Sequence, residues 1–261
     1  EGAIRPEFIE QIAAAIERND AASLKRLAGE LHEADTGDLI EALDAEIRPR
    51  FVELMGREFD FTALTEVDDT VREEILDELE PEAVAEGVRD LDSDDAAYIL
   101  EDLPKEEQVE VLEQLPLDER GPLERILLYP EGSAGRRMQT EFIAVPPDWT
   151  VGDAIDHMRE TDDLPDRFFE FYVTDPSSKF LGAVALDRLL RTKRPVPITD
   201  LMDEDRRRVH PTDDTEEVAR MFERYNLVAA PVVDDTDHLV GVLTFDDIVD
   251  VIEEEAEEDI K

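Results

Sequence analysis

The sequence predicts a multidomain chain: an all-α superhelical, solenoid-like N-terminal domain followed by an α/β tandem duplication. Three observations predict it. Leu31, Leu43, Met55, Val67, Leu79, Leu91, Leu103, Leu115 and Leu127 recur at a constant spacing of twelve. The texture then changes at Tyr129-Pro130-Glu131-Gly132-Ser133-Ala134-Gly135, and the stretch beyond it resembles itself twice.

In the first half, helix-start signals follow several of the spaced residues: Glu80-Pro81, Asp92-Ser93-Asp94, Pro104 and Pro116-Leu117-Asp118. Proline suits a first helical turn, and Asp or Ser satisfies its free amides. Each unit reads as a helix of roughly eight residues, too short to stand alone in water. Stacked neighbours would share one continuous core. Ala96, Ile99, Leu100 and Leu103, and later Val109, Val111, Leu112 and Leu115, have the spacing of a buried helix face. A plain irregular helical bundle is the alternative.

Beyond residue 135, Ile143–Val145, Phe171–Val173, Leu181–Leu186, Ala229–Val233 and Leu239–Thr244 read as strands. Val151–Arg159, Asp187–Arg191, Glu216–Arg224 and the stretch from Asp246 onward read as helices. That alternation is the α/β pattern. Val145-Pro146-Pro147 answers Val209-His210-Pro211, and Phe180-Leu181-Gly182-Ala183-Val184 answers Leu239-Val240-Gly241-Val242-Leu243. The first copy carries an insertion near Asp162 to Phe169.

Charge dominates the composition, with 71 acidic against 27 basic residues and a net charge of −44. Such a surface disfavours nucleic acid and anionic lipid as partners. Two explanations stand side by side: carboxylates that respond to cations, and adaptation of the whole surface to high salt, which scarce lysine also suits. Cysteine is absent, which removes disulfides and thiolate chemistry. No window approaches the roughly 20 apolar residues of a membrane span, and the N-terminus lacks a signal-peptide core. The histidines His32, His157, His210 and His238 are scattered, and no HExxH, Walker or GxSxG pattern occurs. His32-Glu33-Ala34-Asp35 offers a weak metal pattern, more simply read as a helix end. The sequence thus argues against an enzyme.

Two tandem β-α-β-β-α copies of this kind resemble CBS modules, with Gly241-Val242-Leu243-Thr244-Phe245-Asp246-Asp247-Ile248 as the closing strand and helix. Ser133-Ala134-Gly135-Arg136 and Met138 to Val145, together with Leu91 to Ala97 and the acidic run from Asp246 to Ile260, narrow the resemblance to the cytosolic region of MgtE-type magnesium channels. The resemblance divides the chain into a helical MgtE N-type domain over 1–130, a first CBS module over 136–198 and a second over 199–261. It implies that a connecting plug helix and a membrane domain follow in the full-length protein, placed at the cytoplasmic face of the cell membrane. It also implies a homodimer through the CBS modules.

The last helix concentrates the acids. At helical spacing Asp247, Asp250, Glu254 and Glu258 lie near one stripe, with Glu255 and Asp259 beside it. Acid near a helix C-terminus opposes the macrodipole, so a cation should relieve the strain. The family resemblance makes that cation Mg2+, or another divalent ion, bound by Asp247, Asp250, Glu216, Glu255, Glu258 and Asp259. Asn226 stands where the family can have an acid, which weakens that position. The facing surface is the Asp92, Asp94, Asp95 helix start, where Asp94 and Asp95 serve equally as capping groups. CBS clefts in general take adenosine ligands through Ser/Thr-x-x-Asp. The second copy keeps that pattern in Thr244 and Asp247, but the first has Ala185 and Arg188, which counts against ATP. The competing function is an adenosine-nucleotide-responsive CBS regulator of some other protein.

Overall fold

The computed structural model describes residues 4–162, 164–165 and 167–258, with the backbone alone for 250 and 253–258. It divides into two compact units, Glu1–Leu91 with Asp95–Glu124, and Asp92–Asp94 with Arg125–Lys261.

The first unit is helical. It runs through α1 (Pro6–Glu17), α2 (Ala21–Ala28), α3 (Glu33–Ala42), α4 (Arg48–Met55), a 3-10 turn at Phe61–Leu64, α5 (Asp69–Leu76), α6 (Pro81–Val88), α7 (Ser93–Glu101), α8 (Lys105–Gln114) and α9 (Leu117–Ile126). Helices α5 to α9 begin at residues 69, 81, 93, 105 and 117, so the twelve-residue rhythm is the rhythm of helix starts. Apart from Met55, the last residue of α4, the spaced apolar residues fall in the turns after helices, where Leu43, Val67, Leu103 and Leu115 are buried. Helices two apart pack on each other, α2 on α4 and α6 on α8.

A second feature obeys the same period. Each helix ends with carbonyls that have no partner within the helix. Arg48 donates Nε to the carbonyls of Ile40 and Leu43, both at 3.1 Å. Arg72 donates Nη1 to those of Leu64 and Val67, and Gln108 donates Nε2 to that of Leu100 at 2.8 Å. Positions 48, 72 and 108 differ by multiples of twelve, so one register position repeatedly closes the preceding turn. Arg72 is 1% exposed and also pairs with Asp69 and Asp102. A buried guanidinium is tolerable because carboxylates and carbonyls surround it.

The second unit contains α10 (Ala134–Arg137), β1 (Ala144–Val145), α11 (Val151–Glu160), β2 (Glu170–Thr174), β3 (Phe180–Ala185), α12 (Leu186–Leu190), α13 (Thr215–Tyr225), β4 (Ala229–Val233), β5 (Leu239–Thr244) and α14 (Phe245–Glu258). In the first copy β1 runs parallel to β2, and β2 is antiparallel to β3. The second copy repeats this: Val209 bridges Val232 in parallel, and β4 is antiparallel to β5. Both hairpins shift register at the same place, between Val173 and Thr174 and between Val232 and Val233. Asp175 and Asp234 anchor the two turns, each accepting backbone hydrogen bonds two and four residues on. The turns then meet, Phe180 N–H donating to the Asp237 carbonyl and Leu239 N–H to that of Ser178.

The copies also exchange their leading segments. Gln139, ahead of the first copy, bridges Val242 of β5, while Asp203, ahead of the second, bridges Ala183 of β3. These crossings explain Gly182 and Gly241. A Cβ on Gly182 would lie 2.3 Å from Met202 Cγ and 2.7 Å from the Asp203 carbonyl oxygen. On Gly241 it would lie 2.5 Å from Met138 Sδ and 2.9 Å from the Gln139 carbonyl oxygen. Only glycine leaves room for the crossing strand.

Candidate functional site: the start of the acidic helix

Helix α14 begins where β5 ends. Ile248 and Val251 are buried and hold the helix down, whereas Phe245 and Ile252 are about half exposed. Ile252 therefore lies outside the stripe of α14 that Ile248 and Val251 bury.

Asp247 lies in the first turn, half-buried. Its Oδ2 accepts hydrogen bonds from Thr244 N–H at 2.9 Å and from Thr244 Oγ1 at 2.7 Å. Its carboxyl is also hydrogen-bonded to that of Asp94. Two carboxyl groups in such contact need a proton between them or a cation. Burial pushes the Asp247 carboxyl up to about 6, with the nearby Asp246 charge adding to it, while the bonds from Asp94 and Thr244 pull it down. Asp94 itself is 9% exposed.

The neighbouring bonds hold Asp94 in place. Ser93 donates N–H and Oγ to Glu141 Oε2, at 3.1 and 2.7 Å. Thr140 N–H donates in turn to Ser93 Oγ at 2.8 Å. Sequence reasoning missed this Ser93–Thr140–Glu141 cluster because its partners lie nearly fifty residues apart.

The other candidate residues are placed as follows. Asp95 is half-buried near the start of α7 and is counted with the helical unit. Glu216 is exposed in the first turn of α13 and pairs with Arg220 at 3.6 Å. Asn226 caps the end of α13 in the left-handed region, φ 50°. Asparagine is among the few residues that adopt that conformation readily, so the cap explains it. Thr244 is engaged with Asp247, and Arg188 is exposed in α12. The side chains of Asp250, Glu255 and Glu258, and all of Asp259, lie outside the described residues. His32 caps α3, its Nδ1 accepting from Ala34 N–H. Among the described residues no three histidine or acidic side chains converge on a metal position. Asp94 and Asp247 meet the lesser requirement of Mg2+, which takes one or two carboxylates and keeps its waters. Among the described residues no helix is long and apolar enough to cross a membrane.

The fold defines a short-helix repeat domain followed by a tandem of two α/β modules. The MgtE intracellular N domain matches residues 31–132, and the CBS domain matches 134–194 and 198–254. The chain carries an MgtE N domain followed by a CBS pair. It is 35% identical over 141 residues to the magnesium transporter MgtE of Enterococcus faecalis, and 33% identical to that of Bacillus subtilis over the same length. Each alignment covers 54% of this chain and 31% of the relative, so the chain spans under a third of those relatives by alignment. A crystal structure of the cytosolic domain of the Mg2+ channel MgtE in complex with ATP aligns at a TM-score of 0.83 and 27% identity. That alignment covers 93% of this chain and 99% of the other. The soluble part of a magnesium transporter aligns at 0.79 and 27% identity, covering 96% and 98%. The family is one of transporters, not enzymes.

Proposed function

We propose that this chain is the cytosolic Mg2+-sensing region of a magnesium channel or transporter. Divalent cations bridge the Asp94–Asp95 helix start to α14 and so favour the closed pore. The full-length protein then places this region at the cytoplasmic face of the membrane, beneath its own transmembrane domain, as a homodimer through the CBS modules. The observation that carries this reading is the contact of Asp94 with Asp247, two carboxyls that a proton or a cation must reconcile. Mg2+ replaces the proton in this scheme, and Asp250, Glu255 and Glu258 on the same helix, with Asp259 next in sequence, supply further charge. Asn226, as a cap, contributes at most a carbonyl oxygen, and Glu216 adds negative field from α13. With Mg2+ low, both carboxylates ionise without compensation and the contact is weakened.

Limited proteolysis in MgCl2 and in KCl of equal ionic strength tests this. Protection specific to millimolar Mg2+, lost in Asp247→Ala, is the expected result. Equal protection by both salts assigns the acidity to salt adaptation instead. A nucleotide-responsive reading is favoured by one observation, the ATP complex of the structural neighbour. In this chain Thr244 and Asp247 are bonded to each other, and Ala185 and Arg188 take the matching places in the first copy.

A further inference from the structure

The two CBS copies differ most where their hairpins end. In the first, Glu170 lies directly opposite Ala185; in the second, Ala229 lies directly opposite Thr244. Residues opposed in this way share a face of the sheet. The first copy thus has a carboxylate where the second has a methyl group. It has Arg188 where the second has Asp247.

Glu170 is 8% exposed and firmly held. Arg206 donates Nε to its Oε2 at 3.0 Å and Nη2 to its Oε1 at 3.1 Å, and Tyr172 donates its hydroxyl to Oε1 at 3.1 Å. Arg206 Nη2 also donates to the Ala229 carbonyl at 2.7 Å. One guanidinium therefore joins the first copy's carboxylate to the opening residue of the second copy's hairpin. Burial raises the Glu170 carboxyl above its ordinary range, and Arg206 and Tyr172 bring it back. The next two arginines are also engaged, Arg207 over the Tyr225 ring and Arg208 over that of Phe180.

We propose that the Glu170–Arg206 pair is an internal occupant of the first copy's ligand position and closes it to adenosine phosphates. The first copy offers neither the hydroxyl nor the carboxylate of Ser/Thr-x-x-Asp at its helix start. It presents a buried negative charge whose cation is already in use. A phosphate brought there meets that charge at low dielectric, and it gains Arg206 only by parting Arg206 from Glu170. This inference does not depend on ion bridging, and Mg2+ protection is measured without nucleotide, so each reading can fail separately.

Calorimetric titration with ATP and with AMP, on the wild-type chain and on Glu170→Ala, tests it. Alanine already stands at the matching place in the second copy, at Ala229, so the fold should accept it. Glu170→Gln serves as a second variant that keeps the shape and removes the charge, with circular dichroism melts confirming that both fold. The expected result is no saturable binding by wild type and binding at least about tenfold tighter in Glu170→Ala, a difference of about 1.4 kcal/mol. Tight binding by wild type overturns the proposal. So does identical behaviour, bound or unbound, of wild type and both variants.

Discussion

The two CBS copies share strand order, register shift, turn chemistry and a glycine under a crossing strand, yet they use their hairpin ends differently. The first copy closes Glu170 onto Arg206, which also bonds the Ala229 carbonyl of the second. The second turns Asp247 toward Asp94, leaving a contact that a proton or an ion must settle. Duplication preserved the residues that hold the sheet and released those at the helix starts. One copy thus ends in a satisfied ion pair and the other in a contact between two carboxyls.

Four substitutions break or sharpen that contrast. The largest effect belongs to Arg206→Met, which leaves Glu170 buried without its cation. A loss of about 3–5 kcal/mol is expected by urea denaturation at neutral pH. Because burial raises the Glu170 carboxyl, the loss should shrink in acid, where the carboxyl is neutral. A loss independent of pH would mean that packing, not charge, holds the joint.

Next come the glycines. Gly182→Ala and Gly241→Ala should each cost about 1–3 kcal/mol by overpacking the crossing strands. Gly182→Ala should cost more, since its Cβ meets Met202 Cγ and a backbone oxygen more closely than that of Gly241 meets Met138 and Gln139. Thermal melts of the pair of variants compare the two crossings directly.

The smallest effect is a change in pH profile for Asp247→Asn. The folded-state carboxyl is raised to about 6, above its unfolded value. Stability linked to its protonated form is therefore complete in acid and is lost as pH rises through about 6. Without divalent ions, stability should fall between pH 4 and 7 in wild type, and less in Asp247→Asn. Identical profiles would remove Asp247 from the account of the responsive contact.

Much of this was legible in the sequence because it is periodic. The leucine spacing announced the short helices, and the paired Leu181-Gly182 and Val240-Gly241 announced the duplicated hairpins. Other features depend on contacts that no local pattern records. Arg48, Arg72 and Gln108 share the twelve-residue register, but their different chemistry hides a common capping role. Glu170 and Arg206 are separated by 36 positions, and the strand read from the sequence begins at Phe171, one residue past Glu170. At the candidate site Asp247 and Asp94 stood out as acids, but only the fold shows them hydrogen-bonded to each other. Asn226, read as a weakened ion ligand, is explained by its left-handed cap.

The central claim is that α14 and the Asp94 turn respond to divalent cations. Calorimetric titration with MgCl2 in a constant high-KCl background tests it most directly, on wild type, Asp247→Ala and Asp94→Asn. Ion bridging predicts saturable Mg2+ binding in wild type that weakens in both variants. Binding that is absent in KCl, or the same in all three proteins, would contradict it.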